Sequence, residues 1–115
     1  MTAPDFKQPP RYRATLEEWA WFRTWFRDHA CWVCNGPWQE LHHILARSHG
    51  GDDDIDNLAP LCRECHRKVE ARDMWARRQI RWAMWVNHHA YLERKLGGGG
   101  REAFLERNYP LEVAA

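Results

Sequence analysis

No apolar run in this chain approaches the roughly 20 residues that a helix needs to cross a bilayer, and the opening "MTAPDFKQPPRYRATLEE" has no hydrophobic signal core. The expected location is therefore the cytoplasm, away from membranes. Net charge is nearly absent as well, at +1, which excludes a uniformly basic coat for nucleic acid and requires any polyanion to be met locally. Between Arg63 and Leu96 there is neither proline nor glycine. That absence predicts one long helix, or two in line. Cysteine is scarce, with four in all, grouped as two Cys-x-x-Cys pairs. In a reducing compartment such pairs favour metal over disulfides.

The 115 residues suffice for one domain with a modest core. Eight tryptophans argue against a disordered chain. Residues 1–14, rich in proline and arginine, read as a flexible arm. Thr15 with Glu18 three places on is a capping box and should open a first helix. Trp19, Phe22, Trp25 and Phe26 recur at helical spacing and form its apolar face. Cys31 to Cys34 with the following Asn35-Gly36-Pro37 is a knuckle turn. Gln39 to Leu45 and Leu58 to Leu61 read as short strands on either side of a polar loop. Within the glycine-free segment Trp75, Trp82, Trp85, Val86, Leu92 and Leu96 fall on one side of a continuous helix, and Ile80, Met84 and Tyr91 nearly opposite. Two faces then need cover, from the first helix and from the tail, a second copy of the chain, a protein partner or DNA. The glycines at 97–100 should end that helix. Residues 15–96 thus read as the folded domain and 97–115 as a glycine-rich linker and tail, with Phe104, Leu105, Tyr109 and Leu111 available for docking.

Cys31, Cys34, Cys62 and Cys65 supply four thiolates, enough to close a tetrahedral zinc site with no open position. Such a site is structural and would staple the first helix to the start of the long one. A redox dithiol is disfavoured because its usual β-α-β setting is missing.

The histidines remain. The segment "LHHILARSHGGDDDIDNLAPLCRECH" resembles the HNH endonuclease motif, in the form where two Cys-x-x-Cys pairs flank it. The three letters fall on His43, Asn57 and His66, and the resemblance covers about residues 31–72. It implies an α+β fold, a small ββα-metal core stapled by a four-cysteine zinc site, with a preceding helix and a long C-terminal helix around it. By the same resemblance His43, His66 and Asn57 are the catalytic residues. His43 is the general base, His42 and His66 hold a catalytic divalent ion (magnesium, manganese, nickel or zinc), and Asn57 ties down the loop between the strands. Glu70 lies one helical turn beyond His66, where it serves equally as a further ligand or as a surface partner of Arg67 or Lys68. Adjacent strand residues point to opposite faces, so His42 and His43 can serve one site only where the strand ends or twists. The run Asp52, Asp53, Asp54 and Asp56 lacks the periodicity of a calcium loop and reads as a solvated turn.

Seven basic residues lie between Arg63 and Arg81 (Arg63, Arg67, Lys68, Arg72, Arg77, Arg78, Arg81). On one helix they would form a stripe for DNA phosphates, with Arg11, Arg13, Arg47 and His49 as a second candidate surface. The leading expectation is a DNA-hydrolysing HNH endonuclease, and its small size resembles phage-encoded members. The competing expectation is a zinc-stapled nucleic-acid-binding or protein-interaction module on the same fold without relevant nuclease activity.

Overall fold

The capping box forms as the sequence indicates. In the structure, a computed structural model that describes residues 10–112, Thr15 accepts from the Glu18 amide and the Glu18 carboxylate accepts from the Thr15 amide, opening α1 (Leu16–Trp25). Phe22 and Phe26 pack with Leu58 in a small core of their own, while Trp21 and Trp25 stay exposed. The knuckle follows. Asn35 takes a left-handed conformation, φ 63°, and the Cys31 amide donates to Gly36 O at 2.8 Å.

Two four-residue strands, β1 (Glu40–His43) and β2 (Leu58–Leu61), pair antiparallel with Glu40 opposite Leu61 and His43 opposite Leu58. The first strand is shorter than the predicted Gln39–Leu45. All of β2 is buried. Helix α2 (Arg63–Glu70) follows it with Cys62 as its N-cap, completing the expected ββα core in an α+β molecule. The Cys62 thiol group thus closes a helix end and belongs to the cysteine cluster at once.

The single long helix is not formed. Residues 63–96 make three helices, α2, α3 (Met74–Ala83) and α4 (Val86–Leu96). The first break is a left-handed C-cap with arginine in the position glycine usually fills. Arg72 has φ 64° and the Asp73 amide reaches back to Lys68 O. Asp73 then caps α3 by accepting from the Ala76 amide at 3.0 Å. At the second break Met84 and Trp85 are extended, and the Trp85 amide is taken up by His88 Nδ1 at 3.1 Å. Each break resets the helical phase. Ile80, Met84, Tyr91 and Leu92 therefore all reach the main core, and Trp75, Trp82, Trp85 and Val86 are left exposed.

The glycines end α4 at Gly97, φ 79°, but then open α5 (Gly98–Asn108), which packs back on α4. Leu105 and Tyr109 are each 1% exposed, so the tail is part of the core. The predicted flexible arm falls partly outside the described residues, at 1–9. Its remainder is pinned: the Ala14 amide donates to Asp53 at 2.9 Å, Arg11 pairs with Asp53 at 2.8 Å, and the Tyr12 amide donates to Asp52.

Candidate active site

Strand β1 ends at His43, and that ending resolves the problem of two adjacent histidines. The two side chains leave from opposite faces, yet both line one cleft of about 910 Å³ at the strand's end, with His66, Glu70, Arg47 and Arg77. On one face is a cluster of side chains that could hold an ion. The ligand atoms of His42, His66 and Glu70 lie within 4.8 Å of one another. His66 and Glu70 sit one turn apart on α2, with Nε2 to Oε1 at 3.2 Å, and His42 Nδ1 is 3.5 Å from the same oxygen.

Hydrogen positions follow from what surrounds the two rings. Tyr109 Oη lies 3.0 Å from Ile44 O and 2.8 Å from His42 Nε2. A carbonyl can only accept, so the phenol proton goes to Ile44 and the phenol oxygen accepts from His42 Nε2–H. His66 Nδ1 is 2.8 Å from Glu40 Oε1, and an ionised carboxylate likewise only accepts. His66 therefore carries its proton on Nδ1. The inward nitrogens, His42 Nδ1 and, in the neutral ring, His66 Nε2, face the Glu70 carboxylate with their lone pairs. Burial above all pushes the His42 imidazole down to about 4, so that ring is neutral near pH 7. With both rings neutral, this donor set fits a divalent cation, as imidazole ligands backed by outer acceptors commonly do.

The other face carries His43. Its Nε2 is 2.8 Å from Asp53 Oδ1, and Trp19 packs edge-on at 6.0 Å. Asp53 is ionised: burial opposes its charge, but the Ala14 amide, His43 and Arg11 together outweigh burial and hold it below the usual carboxylate range. An acceptor-only Asp53 fixes the His43 proton on Nε2 and leaves Nδ1 basic. Burial, more than the opposing pull of Asp53, lowers the His43 imidazole below its ordinary value, so the ring is neutral near pH 7. The solvated acidic turn expected at Asp52 to Asp56 is thus corrected, because Asp53 is 3% exposed and joins the arm to the candidate base.

Asn57, fully buried, clamps the loop. It accepts from the Leu45 amide at 2.8 Å and donates to Leu45 O and Asp52 O at 3.0 Å. Those bonds fix the chain immediately after His43. Gly51 lies so close to Leu45 O that no side chain fits there.

The four cysteine sulfurs also converge within 4.8 Å, with none in a disulfide. Amides of Val33, Gly36 and Cys65 point at Cys31, Cys34 and Cys62 sulfurs at 3.3–3.4 Å. Such N–H···S contacts suit thiolates in a tetrahedral zinc knuckle, and the donor set fits structural zinc.

The basic stripe is dispersed. Arg63, Arg67 and Lys68 remain exposed on α2, and Arg78 stacks on Trp82 at 4.3 Å. Arg77 is 8% exposed, donating to Val69 O and Asn108 O. The broken helix brings it into the lining of the same cleft as Glu70 instead of further along a straight helix. Arg72 and Arg81 donate to Arg107 O and Tyr109 O. Of these three holders of α5 only Arg77 is buried; Arg72 is exposed and Arg81 half-buried. Glu40, Asp53 and Tyr109 are the site residues that sequence reasoning missed. Glu40 was within reach, being two residues from His42 on the same strand face. Tyr109, 67 positions from its partner, carried no such signal.

Residues 31–72 match the HNH endonuclease family. The matched segment contains both cysteine pairs and His42, His43, Asn57, His66 and Glu70. The chain is also similar to the type IV methyl-directed restriction enzyme EcoKMcrA of Escherichia coli, 46% identical over 33 residues that make up 29% of this chain and 12% of that protein. It resembles anaredoxin of Nostoc sp. as well, 36% identical over 44 residues, 38% of this chain and 57% of the relative. The chain thus spans less than two thirds of either relative. No solved structure matches it.

Proposed function

We propose that this protein is a metal-dependent HNH endonuclease that hydrolyses phosphodiester bonds of DNA. The observation that carries this reading is the convergence of donor atoms from His42, His66 and Glu70 within 4.8 Å of one another, beside a separately oriented imidazole, His43. His43 Nδ1 takes the proton of the attacking water, which a neutral imidazole does well near pH 7. Asp53 holds the ring and stabilises the imidazolium that forms. His42, His66 and Glu70 would hold a divalent ion, which when bound would supply charge stabilisation for the phosphate and the departing oxygen. Asn57 positions His43 through the loop backbone. The products are a 5′-phosphate and a 3′-hydroxyl, as the family resemblance implies.

Phosphates reach the cleft over Arg47 and His49 at its mouth, with Arg63, Arg67 and Lys68 on the outer face of α2. These contacts position the backbone and choose no base. Zinc on the four cysteines joins the knuckle to α2. The experiment is incubation with supercoiled plasmid in the presence of magnesium, manganese, nickel or zinc. Nicked or linear product that disappears with chelator, and falls by about 10²–10⁴-fold in His43→Ala, supports the reading. Intact plasmid with all four ions overturns it.

A further inference from the structure

Helix α5 and its last turn lie outside the segment that matches the family, yet they reach the centre of the site. Arg72 Nη2 donates to Arg107 O at 3.3 Å, Arg77 Nη1 to Asn108 O at 3.2 Å, and Arg81 Nη1 to Tyr109 O at 3.1 Å. Three consecutive carbonyls at a helix C-terminus, the groups that lack intrahelical partners, are thus each taken by a guanidinium from the α2–α3 segment. The Arg77 guanidinium also lies over the Tyr109 ring at 5.2 Å. This clamp delivers one side chain. Tyr109, 1% exposed, places its hydroxyl between Ile44 O and His42 Nε2.

We propose that Tyr109 is a positioning residue for the divalent ion: its hydroxyl fixes the His42 proton on Nε2, keeping Nδ1 bare and aimed at His66 and Glu70. The inference rests on the reading of His42, His66 and Glu70 as the ion site. A free imidazole exchanges its proton between its two nitrogens, and a ring with the proton on Nδ1 cannot ligate through that atom. Tyr109 removes this choice before any ion arrives. The arginine clamp makes α5 a functional part of the centre, because without it the hydroxyl would have no fixed place. Glu40 performs the matching task for His66 from β1, so each imidazole has its own orienting acceptor on a different element.

Long-range ¹H–¹⁵N correlation of the histidine rings in the wild-type protein, with zinc on the cysteines and no second ion, reads the His42 proton directly. A proton on Nε2 supports the inference, and a proton on Nδ1 or an even mixture overturns it without any variant. Calorimetric titration with manganese then compares the wild type with Tyr109→Phe, which keeps the ring and removes the hydroxyl. The expected result is a 10- to 100-fold loss of affinity together with a mixed His42 tautomer. Unchanged affinity and tautomer in Tyr109→Phe overturn the role. If Tyr109→Phe does not fold, Arg81→Gln, which loosens the clamp at the Tyr109 carbonyl, should show the mixed tautomer and weaker binding, and an unchanged spectrum and affinity there overturn it. A wild type that holds the Nε2 proton but binds no manganese would instead overturn the ion site itself.

Discussion

At the scale of single residues, the site depends on acceptors that only accept. Asp53 is the most exacting of them, because it bonds to the Ala14 amide, Arg11 and His43 at once. We expect Asp53→Asn to lower cleavage by about two orders of magnitude, since an amide can present an N–H to His43 and reverse its tautomer. Ion affinity should be unchanged. The same substitution bears on stability. The folded-state pKa of Asp53 lies below its unfolded value near 4, so its contribution is fully present above that value and is lost as the pH falls through the folded one. Urea denaturation should therefore show Asp53→Asn less stable at pH 7, by about 1–3 kcal/mol, with the gap narrowing towards pH 3. Gly51 is limited by space. Its missing Cβ would meet Leu45 O, and Gly51→Ala should cost at least about 1–3 kcal/mol in thermal denaturation, displacing the loop that Asn57 ties down.

The elements show where sequence reasoning holds and where it stops. Strands β1 and β2 and the start of α1 were legible because Thr15 with Glu18 and the Leu58–Leu61 run are local signals that tertiary packing agrees with. The 63–96 segment was misread for a physical reason. Proline and glycine are sufficient to break a helix but not necessary, and here Arg72 accepts a left-handed conformation while Asp73 starts a new helix. Asp73 was a visible cap signal in a stretch judged only by what it lacked. Asp73→Ala should destabilise the protein by about 1 kcal/mol, read from the denaturation midpoint. A neutral outcome would mean that packing of Ile80 alone places α3. The C-terminal helix was illegible for another reason. A start of three glycines at Gly98–Gly100 disfavours helix, and only burial of Leu105 and Tyr109, with the arginines on the far end, makes it form.

Across the whole molecule, two sets of donors divide the labour. The cysteine cluster joins the knuckle to the α2 N-terminus, and the histidine cluster joins the end of β1 to the middle of the same helix. Helix α2 is thus held at two points by separate chemistry. Elemental analysis should find about one zinc per chain, and Cys62→Ser should unfold or aggregate the protein. Glu70→Gln should leave zinc content unchanged. A folded preparation without zinc would remove the staple from this description.

The division between the two faces of β1 is the central claim, because it makes His42 a ligand and its neighbour His43 a base that touches no ion. Calorimetric titration of manganese into zinc-loaded wild type, His43→Ala and His66→Ala tests it most directly. We expect His43→Ala to bind within about twofold of the wild type and His66→Ala to lose at least tenfold, a difference of roughly 1.4 kcal/mol or more in binding. Loss of the ion in His43→Ala with retention in His66→Ala would contradict the assignment of both residues.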